Sequence, residues 1–78
     1  MDILKREYKF RGFTEAIEFV NKVAKIAEER DHHPDILVKY NVVTLSYYTH
    51  TANAVTEKDT RLAAEIDQLL SGNHKDLT

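Results

Sequence analysis

Asp35-Ile-Leu-Val-Lys-Tyr40-Asn41-Val42-Val-Thr-Leu-Ser-Tyr-Tyr48-Thr49 is the stretch on which the fold turns. Residues 35–40 and 42–49 are both rich in β-branched and aromatic side chains, and Asn41 between them is a natural turn residue. The reading is a β-hairpin. In its second strand Val43, Leu45 and Tyr47 share one face, while Val42, Thr44, Ser46, Tyr48 and His50 share the other. The first set makes the better core face, so His50 falls on, or just beyond, the more polar one.

Upstream, Pro34 cannot sit inside a helix and pushes His33 toward extended geometry. A helix before it must stop near Asp31 or His32. Phe13, Ala16, Ile17, Val20, Val23, Ala24 and Ala27 recur at the steps of one buried helical face, widened by Phe19 and Ile26. The spacing predicts a helix from about Phe13 or Thr14 to Arg30, with Thr14 as its N-cap. Residues 3–11 alternate, with Tyr8 and Phe10 facing one way and Lys9 and Arg11 the other, as in a strand with one wet face. Gly12 ends it. Downstream, Thr51–Val55 is a loop without glycine. Thr56 then opens a second helix with Asp59 three residues on, a capping-box pattern with Asp in place of Glu. Leu62, Ala63, Ile66, Leu69 and Leu70 supply its apolar stripe. Gly72 is the expected stop and residues 72–78 a frayed tail.

The prediction is an α+β fold of order β-α-β-β-α. A small antiparallel sheet of about three strands carries both helices on one face, so that every apolar stripe is buried. The 78 residues form a single domain with its core in 3–71. This length excludes a doubly wound nucleotide-binding domain or a TIM barrel. The absence of cysteine excludes disulfides, thiolate metal sites and cysteine nucleophiles. A net charge of −2 gives no field for nucleic acid or an anionic membrane. No apolar run approaches a membrane span. The first residues lack the basic and apolar regions of a signal peptide, which sets the cytoplasm as the expected location. So small a core without staples favours a homo-oligomer.

The four histidines carry the functional signal. A hairpin turning on Asn41 sets residue 32 opposite residue 50, bringing His32, His33 and His50 to one end, with Glu28, Asp31, Asp35 and Asp59 able to border it. Three readings stay open. His32 and His33 suit a helix C-terminus electrostatically. Imidazoles plus a carboxylate suit a metal, although adjacent residues in an extended segment point apart. Imidazoles in a cleft also suit metal-free proton transfer near neutral pH.

The sequence resembles the pterin-4a-carbinolamine dehydratase family over roughly residues 7–70. The resemblance lies in Tyr8-Lys-Phe-Arg-Gly-Phe13, in Glu28-Glu-Arg-Asp-His32-His33-Pro34-Asp35, and in Tyr40-Asn41 with Val43. Thr49-His50, Thr56 with Asp59, and Ala63-Ala-Glu-Ile-Asp67 complete it. His-His-Pro followed by Thr-His sixteen or seventeen residues later is the specific part.

The resemblance implies dehydration of 4a-hydroxytetrahydropterin to quinonoid dihydropterin, in recycling of a pterin cofactor, with no metal and no bound cofactor. It places His32 and His50 as the acid/base pair and His33 as a third site histidine that binds substrate. Glu28 and Asp59 join as substrate-binding or orienting acids. Asp59 is read as either a cap or an acid, one role excluding the other. The resemblance also implies a homodimer or homotetramer. Its alternative is a non-enzymatic protein-binding module like the family's transcriptional coactivators. Two departures stand out. The family often adds an N-terminal strand carrying a tryptophan, and this chain is expected to have one sheet edge shorter. The loop after His50 is usually glycine-rich, whereas here it reads Thr51-Ala-Asn-Ala-Val55. Asn53 is the residue there best able to adopt a left-handed conformation.

Overall fold

The computed structural model describes the backbone of residues 3–76 and the side chains of residues 3–70. The elements run β1 (Leu4–Lys9), α1 (Phe13–Arg30), β2 (Asp35–Lys39), β3 (Val42–Tyr47) and α2 (Glu57–Asp76). The three strands form one antiparallel sheet in the order β1-β3-β2. Val43, Leu45 and Tyr47 are buried and alternate with half-buried Val42, Thr44 and Ser46, as the period of two requires. The buried face packs against Ala16, Phe19 and Val23 of α1 and against Leu62, Ala63 and Ile66 of α2. The α+β architecture and its element order are those the sequence predicts.

The hairpin turn sits between Tyr40 and Asn41 rather than on Asn41. Asp35 pairs with Ser46 and Lys39 with Val42, which leaves a two-residue connection. Tyr40, not Asn41, takes the left-handed conformation, with φ 51°. Asn41 is spent on another task. Its side-chain amide donates to the Phe10 carbonyl at 2.9 Å, and its own carbonyl accepts from the Phe10 N–H at 2.8 Å. This joins the end of β1 to the hairpin.

Three further expectations are corrected. The buried stripe of α1 is Ala16, Phe19, Val23 and Ala27, whereas Ala24 and Phe13 are exposed. Phe19 draws the stripe toward itself because its ring meets both Tyr8 and Phe10 at centroid distances of 4.8 and 4.9 Å. The N-cap of α1 is Gly12, with no side-chain cap, so Thr14 lies inside the helix. Finally, α2 continues through Gly72 to Asp76. Glycine ends a helix by turning left-handed. Kept helical, it is only about 1 kcal/mol worse than alanine and does not stop the helix. The last residues of the expected tail, 77–78, lie outside the described residues.

Beyond its first turn, α2 is tied to the rest by polar contacts from Glu65 and Asp67. Arg30 at the end of α1 makes a two-pronged pair with Glu65, both bonds at 2.7 Å. The Arg30 hydrogen bonds hold the Glu65 carboxyl below its usual range. On the sheet side the Tyr8 hydroxyl donates to Asp67. Beside it, burial pushes the Tyr47 phenol up to about 12. The Tyr47 hydroxyl is fully buried near that of Tyr8, in a geometry that closes no regular hydrogen bond among the described residues. No helix is long and apolar enough to cross a membrane, among the described residues.

Candidate active site

The site begins at the C-terminus of α1. Asp31 adopts a left-handed conformation (φ 51°, ψ 42°), and its N–H bonds back to the last turn. His32 N–H donates to the Ala27 carbonyl at 3.1 Å, and Asp31 N–H to that of Glu28 at 3.2 Å. This is the Schellman ending, with Asp where glycine is usual. Pro34, buried, then locks the chain into β2. The reversal sends the two adjacent imidazoles to different surroundings. His32 turns inward toward α2, and His33 stays at the surface.

His32 meets Asp59. Thr56 is the N-cap of α2, its hydroxyl accepting from the Lys58 N–H at 3.2 Å. Asp59, one turn in, reaches back so that Oδ2 accepts from the Thr56 N–H at 2.8 Å. The same Oδ2 accepts from the Thr49 hydroxyl at 2.7 Å, and Oδ1 lies 2.6 Å from His32 Nε2. Asp59 is therefore both cap and orienting acid, because a carboxylate has two oxygens and the helix start divides them. This overturns the expectation that one role excludes the other. The side chain is fully buried, and its oxygens are taken up by His32, Thr49 and the Thr56 N–H.

Proton bookkeeping fixes the ring. Burial pushes the Asp59 carboxyl up, but the bonds from His32, Thr56 and Thr49 outweigh it and hold the carboxyl below its ordinary value of 3.8. An ionised carboxylate only accepts, so Nε2 carries the proton and donates to Oδ1. Thr49 must donate to Oδ2, and the Thr56 hydroxyl, 2.8 Å from Thr49 Oγ1, donates in turn. His32 Nδ1 has no protein partner among the described residues. It is the nitrogen left to accept or deliver a proton.

His33 Nε2 lies 2.5 Å from Glu28 Oε2. Glu28 thus pairs with His33, although it stands one helical turn before His32 in the sequence. The chain reversal at Asp31 moves His32 away from the α1 face on which Glu28 stands. His50, exposed, follows the buried Thr49, and its ring packs edge-on against Tyr48. The loop behind it closes through a bridge between Thr49 and Ala54. Asn53 is the left-handed residue there, as expected, with φ 55°.

His32, His33 and His50 together line a hollow of about 290 Å³, with Tyr48 and Lys58. A larger hollow of about 480 Å³ lies between the end of α1 and the start of α2, across His32. Only one of the three imidazoles reaches it, and its arginines are paired with Glu57 and Glu65. The smaller hollow is the one that all three imidazoles line. Lys58, Tyr48 and Thr49 escaped the sequence reading. Lys58 could have been found as the residue preceding Asp59 on the first turn of α2. Thr49 was visible only as half of a Thr-His pair. Among the described residues, no group of three or more His, Asp or Glu side chains is arranged to hold a metal ion. The Nε2 atoms of His32 and His33 are instead engaged by carboxylates.

The comparisons with known proteins bear on family and fold. The family model described as pterin 4 alpha carbinolamine dehydratase matches residues 1–69. A Picosynechococcus protein is 52% identical over 66 residues, covering 85% of this chain and 72% of its own length. A Thermomicrobium roseum protein is 50% identical over 70 residues, covering 90% and 75%. Both carry the pterin-4-alpha-carbinolamine dehydratase name provisionally. The crystal structure of a transcriptional coactivator/pterin dehydratase from Brucella melitensis superposes with a TM-score of 0.80 at 36% identity, covering 85% of this chain and 70% of that one. A pterin dehydratase-like RuBisCO assembly factor of the alpha-carboxysome shares the fold, with a TM-score of 0.73 at 24% identity, over 86% and 77% of the two chains. With the family model covering most of its length, the chain belongs to the pterin-4a-carbinolamine dehydratase family.

Proposed function

We propose that the protein dehydrates 4a-hydroxytetrahydropterin to quinonoid dihydropterin, acting in the cytoplasm to recycle a pterin cofactor. Breaking the C4a–O bond needs a proton delivered to the leaving hydroxyl, which departs as water. Forming the quinonoid ring needs a proton removed from a ring nitrogen. Both transfers want groups that exchange protons near neutral pH. His32, through Nδ1, and His50 are the acid/base pair. His33 binds the substrate, with Glu28 behind it. Lys58 offers a cation to an oxygen of the pterin. The observation that carries this reading is the convergence of the three imidazoles on one hollow, with the tautomer of His32 set by a buried carboxylate. No metal or bound cofactor enters the mechanism. The test is a stopped-flow assay of carbinolamine dehydration on purified protein. Catalysis unchanged by chelator is expected, and a rate no faster than buffer contradicts the reading.

A second reading rests on one of the two edges of the sheet. Ile36, Leu37 and Tyr40 are exposed on and beside β2, which has no strand on its outer side among the described residues. An apolar edge of this kind favours association. We assign it to a homodimer or homotetramer, and a protein-binding module is the alternative if dehydration is absent. Light scattering at micromolar protein is expected to exceed 9.0 kDa. A monomer at all concentrations contradicts the oligomer.

A further inference from the structure

His50 lacks what the other two imidazoles have. His32 and His33 are each held by a carboxylate, but the His50 ring has no hydrogen-bond partner among the described residues. It sits on an exposed loop, where an acid/base group left to wander would forfeit the advantage of orientation.

Three contacts close around it. The His50 and Tyr48 rings pack edge-on, with centroids 5.1 Å apart and planes at 75°. The Tyr48 hydroxyl donates to Asn53 Oδ1 at 2.5 Å. The Asn53 N–H donates to the His50 carbonyl at 3.2 Å. The left-handed conformation of Asn53 turns the loop back so that one residue holds both the backbone of His50 and the ring beside it. We propose that Tyr48 and Asn53 form a strap that positions His50, making Tyr48 a positioning residue for the reaction.

The proposal rests on the dehydratase reading for its kinetic arm, so the experiment has two arms. In the first, kcat and KM are measured for four variants. Tyr48→Phe and Asn53→Gly each cut the strap, and kcat is expected to fall about tenfold with KM within about twofold. Tyr48→Leu also removes the edge contact, and a fall of about a hundredfold is expected. Asn53→Asp keeps an acceptor and tolerates the left-handed backbone, so it retains most of what Asn53→Gly loses. A raised KM at unchanged kcat would make Tyr48 a wall against the substrate and overturn the proposal, as would wild-type values throughout.

The second arm needs no activity. The His50 ring protons, assigned by their absence in His50→Gln, are followed by NMR. Loss of their ring-current displacement in Tyr48→Leu, and its marked reduction in Tyr48→Phe and Asn53→Gly, where the ring remains but the strap is cut, is expected. If the wild type fails to dehydrate the carbinolamine, the reading of function falls while this arm still decides the strap. His50 resonances unchanged in Tyr48→Phe and Asn53→Gly overturn it.

Discussion

His32 and His33 are neighbours in sequence, and each has a carboxylate oxygen within 2.6 Å of Nε2, yet the two pairs are physically different. The His32 side chain is 14% exposed and its partner Asp59 is 0% exposed. Asp59 receives two further hydrogen bonds that leave it one position and one protonation state. The His33 side chain is 54% exposed and Glu28 is 77% exposed. An exposed pair of this kind is screened by water and salt and holds its geometry weakly. Equal distances therefore carry unequal constraint. The buried pair sets a tautomer, whereas the exposed pair biases a rotamer.

Asp59→Asn breaks this comparison hardest. An amide cannot accept with both ends. If its oxygen keeps the Thr49 and Thr56 bonds, its NH₂ faces His32 and drives the ring to the other tautomer. A catalytic imidazole held in the wrong tautomer costs up to about 10⁴-fold in kcat. We expect a loss of at least about a hundredfold, with KM little changed. The same variant tests the linkage to stability. The folded-state value of Asp59 lies below its ordinary value of 3.8. Its contribution is fully present above that value and is lost as pH falls through the folded one. Urea midpoints from neutral pH to pH 2 should show the wild type ahead of Asp59→Asn at neutral pH and converging with it in acid. An advantage that persists at the acid end would contradict the ionised, bonded carboxylate.

The exposed pair should yield smaller effects. His33→Ala removes a binding contact that serves ground and transition states alike, so KM rises about three- to tenfold with kcat nearly kept. Glu28→Gln leaves the imidazole and removes only a solvated partner. About a twofold rise in KM is expected at low salt, fading as salt is added. A salt-independent effect as large as that of Asp59→Asn would erase the distinction between the two pairs.

Most of the fold was legible because periodicity and capping chemistry are local. The alternation of Val43, Leu45 and Tyr47 and the Thr56/Asp59 spacing each carry their structural meaning within a few residues. The meeting of His32, His33 and His50 was legible for the same reason, since one hairpin turn joins them. The partners of the histidines were not. Glu28 lies four residues before His32, one helical turn, but the left-handed Asp31 reverses the chain between them. The dual role of Asp59 depends on which oxygen faces which element, and residue type does not encode that. The exposure of Phe13 and Ala24 had the same origin: the stripe of α1 is set by the rings of Tyr8 in β1 and Phe10 just beyond it, a tertiary fact.

Tyr47 gives the smallest predicted effect and the sharpest foil to Asp59. Both side chains are fully buried and polar, but Asp59 has three partners and the Tyr47 hydroxyl none among the described residues. Tyr47→Phe removes an unsatisfied group without emptying the core. We expect a change in unfolding free energy between zero and about 1 kcal/mol in the stabilising direction, with kcat unaffected. A loss of more than about 1 kcal/mol in urea unfolding would reveal a partner for that hydroxyl.

The central claim is that His32 and His50 move the protons of a pterin dehydration. Stopped-flow turnover of 4a-hydroxytetrahydropterin by wild type, His32→Ala and His50→Ala, beside urea unfolding of each, tests it most directly. Removing a general acid or base typically lowers turnover by about 10²–10⁴, and each variant is expected to fall in that range. His32→Ala alone should also lose about 1–3 kcal/mol of stability, because it leaves buried Asp59 short of one partner. Wild-type turnover in both folded variants would contradict the account.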